Sequence, residues 1–155
     1  ENWPEQKINN ILFQSPLPLE LTSENIPDSV SWYYKKLQVY QASESGRAIL
    51  FTHTKISNDS LPIEGMFSTA IQTLLNQTGA DVSSFNVDQT EFDDEDITSK
   101  FYHIKNNDTL RGFGKMFRNG NEYSALWLVP THRGFSKEFI EKFEKGIHSK
   151  INNPF

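Results

Sequence analysis

Thr109 to Pro130, TLRGFGKMFRNGNEYSALWLVP, holds two strand-like runs that meet at Asn119-Gly120. Asn and Gly both tolerate the positive φ that a type I′ hairpin turn requires at its two centres. Pairing outward from that turn sets Arg118 opposite Asn121, Met116 opposite Tyr123, Gly114 opposite Ala125, Gly112 opposite Trp127 and Leu110 opposite Val129. Side chains alternate across a strand, so beyond the first pair these positions form one face, nearly all apolar or lacking a side chain. That makes it a core face, where Gly112 and Gly114 clear space beside the Trp127 indole or let a helix approach the backbone. Phe113, Phe117, Leu126 and Leu128 point the other way, mixed with Arg111, Lys115 and Glu122, so the second face is half covered as well. None of these residues forms a catalytic signature.

Upstream, Val30 to Ser43 is rich in aromatic and β-branched residues and predicts a long strand, turned at Glu44-Ser45-Gly46 into a partner running from Arg47 to Ile56. Strict alternation places Trp32, Tyr34, Lys36, Gln38 and Tyr40 on one face of that strand. This row is the candidate partner surface, because a partly uncovered set of amphipathic rings interleaved with polar side chains is typical of interfaces. Burial of the row beneath a helix or the terminal arm is the competing expectation. From Leu61 the period changes: Ile63, Met66, Phe67, Ala70, Ile71, Leu74 and Leu75 form one apolar helical stripe, with Pro62 in the first turn and Gly79 as the stop. The other side of this helix, Ser68, Thr69, Gln72, Thr73, Asn76 and Gln77, carries no charge.

Phe85 to Phe92 and Ile97 to Ile104 predict two further strands, and Asn106-Asn107-Asp108 turns the chain into the hairpin already described. A last helix is expected with Ser136 as N-cap, an apolar face of Phe135, Phe139, Ile140, Phe143, Ile147 and Ile151, and the pairs Glu138–Lys142 and Glu141–Lys145. Residues 1–10 are polar apart from Trp3 and Ile8 and read as a flexible N-terminal arm. Residues 11–155 form a single domain.

The order strands, helix, four strands, helix implies an α+β fold. Its antiparallel sheet of about six to eight strands is flanked by two long helices in an α/β/α sandwich. The Phe13-Gln-Ser-Pro-Leu-Pro segment, the helix from Leu61, the Asn119-Gly120 hairpin and the Phe135-to-Ile151 helix together resemble the PsbP-like fold. That fold is shared by the extrinsic photosystem II protein, a Ran-binding nuclear import factor and envelope lipoproteins of the DcrB type. The resemblance implies the sandwich and transfers no active-site residue.

Twenty acidic and fifteen basic residues give a net charge of −5, which disfavours nucleic acid as a partner. There is no cysteine, so disulfides and thiolate metal sites are excluded. No apolar run is long enough for a transmembrane helix. The chain starts at Glu1 without methionine, which suggests a mature extracytoplasmic protein with a removed signal segment, or a lipid anchor upstream of Glu1.

Glu91-Phe92-Asp93-Asp94-Glu95-Asp96 lacks the spacing and central glycine of an EF-hand and reads as a solvated acidic turn. The four histidines, 53, 103, 132 and 148, show no short ligand spacing, and neither a metal nor another cofactor is expected. The leading expectation is a non-enzymatic binding or assembly module with a protein or envelope partner. The rival is a small-molecule or metal-binding carrier, or a hydrolase, with its site between sheet and helix. A deep cleft of convergent titratable groups would favour the rival, and a shallow exposed aromatic patch the module.

Overall fold

The computed structural model describes residues 2–57, 61–77, 85–92 and 95–149. Its main sheet is antiparallel and seven-stranded. In chain order its strands are β3 (Glu20–Ser23), β4 (Tyr34–Glu44), β5 (Arg47–Ile56), β6 (Phe85–Phe92), β7 (Asp96–Lys105), β8 (Asp108–Asn119) and β9 (Glu122–Pro130). In space they follow the order β3-β4-β5-β9-β8-β7-β6. A second, three-stranded sheet joins β1 (Glu5–Ile8) and β10 (His148–Ser149) to either side of β2 (Ile11–Gln14). Helix α1 (Ile63–Gln77) covers one face of the main sheet, and α2 (Lys137–Lys145) lies on the other.

The hairpin that anchors the sequence is present with its turn moved by one residue. Asn119 pairs with Glu122 and Gly114 with Trp127, leaving Gly120-Asn121 as the two-residue loop. Gly120 alone of the two has positive φ, 64°, which is the type II′ arrangement. Each expected pair slips by two positions on one strand, so every side chain stays on its expected face. A β-carbon on Gly114 would lie 2.6 Å from the Trp127 ring, and one on Gly112 would lie 2.4 Å from the Phe101 ring. Both glycines clear space for aromatics, but only Gly114 does so for Trp127.

Two cores result. Between α1 and the sheet lie Ile63, Met66, Phe67 and Leu74 against Trp127, Val129, Met116 and Ile97, with the Phe67 and Trp127 rings stacked at 5.0 Å. On the other face Phe113, Phe117, Leu126 and Leu128 pack against Phe143, Ile140 and Phe135 of the α2 segment and against Ile11 and Phe13 of β2. The apolar residues of the hairpin's outward face are therefore core, while Arg111, Lys115 and Glu122 on the same face stay half-buried, as expected. Ser136 caps α2 as expected, its hydroxyl accepting from the Phe139 amide at 3.0 Å.

The α/β/α sandwich with two long helices is not what the chain forms. Strand makes up 55% of the described residues and helix 18%, so the fold is mostly antiparallel β-sheet. The helices span only 15 and 9 residues. α2 stops at Gly146, whose β-carbon would press to 3.2 Å from that of Gln14. The chain then pairs with β2 instead of continuing the helical period. Residues 5–8, expected in a flexible arm, are ladder partners of β2. The Trp3 ring lies tilted against Phe139 at 4.7 Å, with the Lys142 ammonium 4.4 Å from its centre. Gly79 and Ile151 lie outside the described residues.

Candidate functional site

The expected aromatic row is broken by a β-bulge. The β4–β5 register shifts between Tyr34 and Lys36, and one extra residue reverses the facing of everything before it. Tyr34 packs on the α1 side with Val39, whereas Tyr40 packs on the α2 side, edge-on to Phe51 at 6.0 Å. Trp32 precedes the strand, in the turn after the 3₁₀ segment Asp28–Val30, and is 71% exposed with its ring tilted against Tyr33. Lys36 is exposed. Gln38 points to the α2 side, where it meets His53 and Glu24. Trp32, Tyr34, Lys36, Gln38 and Tyr40 therefore do not form one surface.

What the structure does assemble is a cleft of about 400 Å³ between α1 and the β4–β5 part of the sheet. Its origin is the way α1 is pinned. The Leu61 amide donates to the Tyr123 hydroxyl at 2.6 Å, and that hydroxyl donates to the Leu61 carbonyl at 2.7 Å. The start of the helix is thus tied to β9, and α1 lies against β7, β8 and β9. Ala48, Leu50 and Ile56 of β5 are still buried with the helix, but Leu37 and Val39 of β4 and Thr52 and Thr54 of β5 are left half-buried. Leu37 and Val39 on β4 and Thr52 and Thr54 on β5 form the floor, while Met66, Thr69, Ala70 and Thr73 of α1 form the opposite wall. Ser23, Asn25 and Pro27 border one end, and Tyr34 borders the cleft from the start of β4.

None of the fifteen lining residues is a carboxylate, imidazole, ammonium or guanidinium, and Tyr34 is the single ionisable group among them. Thr52 accepts from the Trp127 indole at 3.0 Å, and Thr73 donates to the Thr69 carbonyl at 2.9 Å, so two hydroxyl groups are already engaged. Such a wall can desolvate apolar surface and offer a few neutral hydrogen bonds. Among the described residues it holds no acid–base pair for proton transfer. The uncharged helix side noted in the sequence contributes Thr69 and Thr73.

On the opposite face His53 is 4% exposed. Its Nε2 lies 3.0 Å from Glu122 Oε1 and its Nδ1 lies 3.3 Å from Gln38 Oε1. Burial holds the imidazole below its ordinary value of 6.5, against the upward pull of Glu122, while Lys36 and Lys55 add to the lowering. Ser124 of β9 is its cross-strand partner. A neutral ring has one N–H and cannot donate to both oxygens.

The other histidines are dispersed. His103 stacks on Phe85, His132 follows β9 beside Gly46, and His148 lies in β10. Among the described residues no group of three or more His, Asp or Glu side chains is placed to hold a metal ion. Asp93 and Asp94 of the acidic turn lie outside them. No helix among the described residues is long and apolar enough to cross a membrane.

A neutral His53 in the fold has a testable consequence. Because its pKa is lowered on folding, the unfolded chain takes up the proton first as pH falls. Its contribution is intact above pH 6.5, declines as pH drops through 6.5, and is lost once the pH is below the folded value as well. Urea midpoints taken between pH 8 and pH 5 are expected to fall, and to fall less steeply in His53→Gln. Parallel curves for parent and variant would contradict this.

No family model matches the chain, and no curated protein or solved structure matches it either. The resemblance to the PsbP-like fold finds no support there.

Proposed function

We propose that the protein is a non-enzymatic binding or assembly module, acting outside the cytoplasm, whose protein or envelope partner seats an uncharged, apolar group in the cleft between α1 and β4–β5. The observation that supports this most directly is the chemistry of the walls: an apolar floor and helix side with threonine hydroxyls and no charged group among the described residues. A charged ligand group would lose its hydration there without gaining a counter-charge. A second possibility, a carrier for a free small molecule, uses the same walls and is favoured by the volume, which falls in the range of small-ligand sites. The hydrolase alternative has no acid–base constellation among the described residues of the cleft to support it.

Octanol, octanoate and octylammonium, titrated below their aggregation limits into methyl-labelled protein, form a direct test. Octanol is expected to shift the Leu37, Val39 and Met66 methyl signals, with the two charged analogues at least about tenfold weaker. Thr69→Phe, which fills the cleft from an exposed helix position, is expected to abolish the shifts while leaving the melting temperature nearly unchanged. Shifts elsewhere in the protein, or equal binding of all three probes, would refute the proposal.

A further inference from the structure

The chain has two methionines, Met66 and Met116, and both line the cleft between α1 and the β4–β5 part of the sheet. Met66 stands on the helix wall, one turn before Ala70. Met116 comes from β8, which β9 separates from β5. It belongs to a row of cross-strand neighbours: Val39 pairs with Thr52, Thr52 with Ala125 and Ala125 with Met116. Cross-strand partners share a face, and neighbouring strands lie about 5 Å apart. A side chain on β8 therefore borders the space above β5 only if it is long and the residue between them is short. Methionine is long and unbranched, and Ala125 carries a single methyl group. The inner end of the cleft is thus closed by one thioether from the helix and one from the sheet.

The surroundings of this end are built differently. Behind the two methionines, Phe67 is stacked on Trp127 at 5.0 Å, with Ile63, Ile97 and Tyr123 in the same core. The core beneath α2 is made of phenylalanine, isoleucine and leucine, and no methionine occurs in it among the described residues. The outer floor of the cleft includes Val39, Thr52 and Thr54, β-branched side chains with restricted χ1. Met66 and Met116 are both buried, packed from behind by rigid rings and presenting their remaining surface to the cleft. An unbranched thioether turns about three bonds and fills irregular space, where an isoleucine or phenylalanine would clash or leave a void. A stiff floor therefore leads inward to an adjustable end.

From this placement we propose that Met66 and Met116 are the specificity-determining residues of the cleft, and that they let it take uncharged apolar groups of different outline, straight-chain, cyclic or aromatic, with similar affinity. The proposal rests on the reading of the cleft as the seat of an uncharged apolar group. A straight chain is accommodated by thioethers that turn to line it. A ring is met at its edge by sulfur, a favourable contact in its own right. Charge is rejected by the walls as a whole, whereas shape is left open by these two side chains. A partner that anchors here through leucine, methionine or phenylalanine satisfies the same surface.

The test uses three uncharged eight-carbon alcohols, 1-octanol, cyclooctanol and 2-phenylethanol, titrated into protein labelled at its methyl groups. Each Kd is corrected for the alcohol's own partition from water into octanol, which removes differences in plain hydrophobicity. In the parent the corrected values are expected to agree within about threefold, and both methionine methyl signals are expected to move with every probe. Leucine is close to methionine in volume but branched, so a Met66→Leu, Met116→Leu double variant should fold, as circular dichroism will verify. Its corrected values are expected to spread over at least about tenfold, and those of either single variant over an intermediate range. A purely structural role for the methionines would lower the melting temperature of these variants without widening the spread. Corrected values that already differ tenfold in the parent, an unchanged spread in the variants, or shifts at Leu37 and Val39 with none at Met66 or Met116 would overturn the proposal and leave the cleft as a binding site. Absence of binding by all three alcohols would overturn both.

Discussion

Trp127→Ala is expected to lower the free energy of unfolding by about 3–5 kcal/mol, the range for removing a large buried aromatic. The side chain is fully buried, and three independent contacts depend on it. Its ring stacks on Phe67 of α1 at 5.0 Å, fills the space that Gly114 leaves open, and its indole N–H donates to Thr52 on the neighbouring strand. Truncation leaves a cavity bounded by two β-strands and a helix that is already anchored at Leu61, so little collapse can offset it. The Thr52 hydroxyl loses a donor at the same time. Urea unfolding monitored by far-ultraviolet circular dichroism measures the effect. A midpoint close to the parent's would mean that α1 is not held through this ring.

The second large effect is expected at Gly134, in the connection between β9 and α2. A β-carbon there would lie 2.5 Å from the Arg111 amide nitrogen and 2.6 Å from the Leu110 α-carbon. These are main-chain atoms of β8, held by the ladder to β7, where Leu110 pairs with His103 and Arg111 with Tyr102, so they cannot rotate away as a side chain would. The adjacent Phe135 amide donates to the Arg111 carbonyl at 3.0 Å and fixes the approach. Gly134→Ala should cost about 3 kcal/mol, the upper part of the usual range for overpacking. Gly65→Ala is the control: a β-carbon there meets nothing within 4 Å, and in a helix the change should be neutral or stabilising. Similar melting temperatures for the two variants would contradict the close approach of this loop to β8.

Sequence patterning carried the faces of the sheet further than it carried the details. The β8–β9 turn is assigned to the wrong pair of residues by the Asn-Gly signal, yet the face assignment survives because an even slip preserves parity. The deciding contact is tertiary: the Asn121 side-chain amide donates to the Ile56 carbonyl at 2.6 Å, which nothing local to the hairpin announces. The aromatic row failed for the opposite reason. A single bulge at the start of β4 is an odd slip, and it separates Tyr34 from Tyr40. The helix from Leu61 was legible from its stripe, with Ile63, Met66, Phe67 and Leu74 buried as expected. The cleft was not, because it depends on where α1 is pinned across the sheet, a choice made by Tyr123. The final helix was read too long because Ile147 continues the 3.6-residue period. Ile147 is buried, but beyond the end of α2, on the way to β10.

The strand order has a consequence for how the molecule comes together in time. β3, β4 and β5 form one run of sequence neighbours, and β6, β7, β8 and β9 another; the two runs meet only where β5 pairs with β9, from Arg47 opposite Pro130 to Lys55 opposite Glu122. Within each run successive strands are joined locally, the longest link being residues 24–33 between β3 and β4, whereas this seam must join segments far apart along the chain, with α1 in the connection. The loss of chain entropy on joining them precedes any gain from the contacts, which makes the seam the slow step. The cleft takes its β4–β5 floor from the first run and Met116 from the second, so it exists only after the seam has closed. The β6 edge belongs wholly to the second run, and is formed before the cleft that lies across the sheet from it.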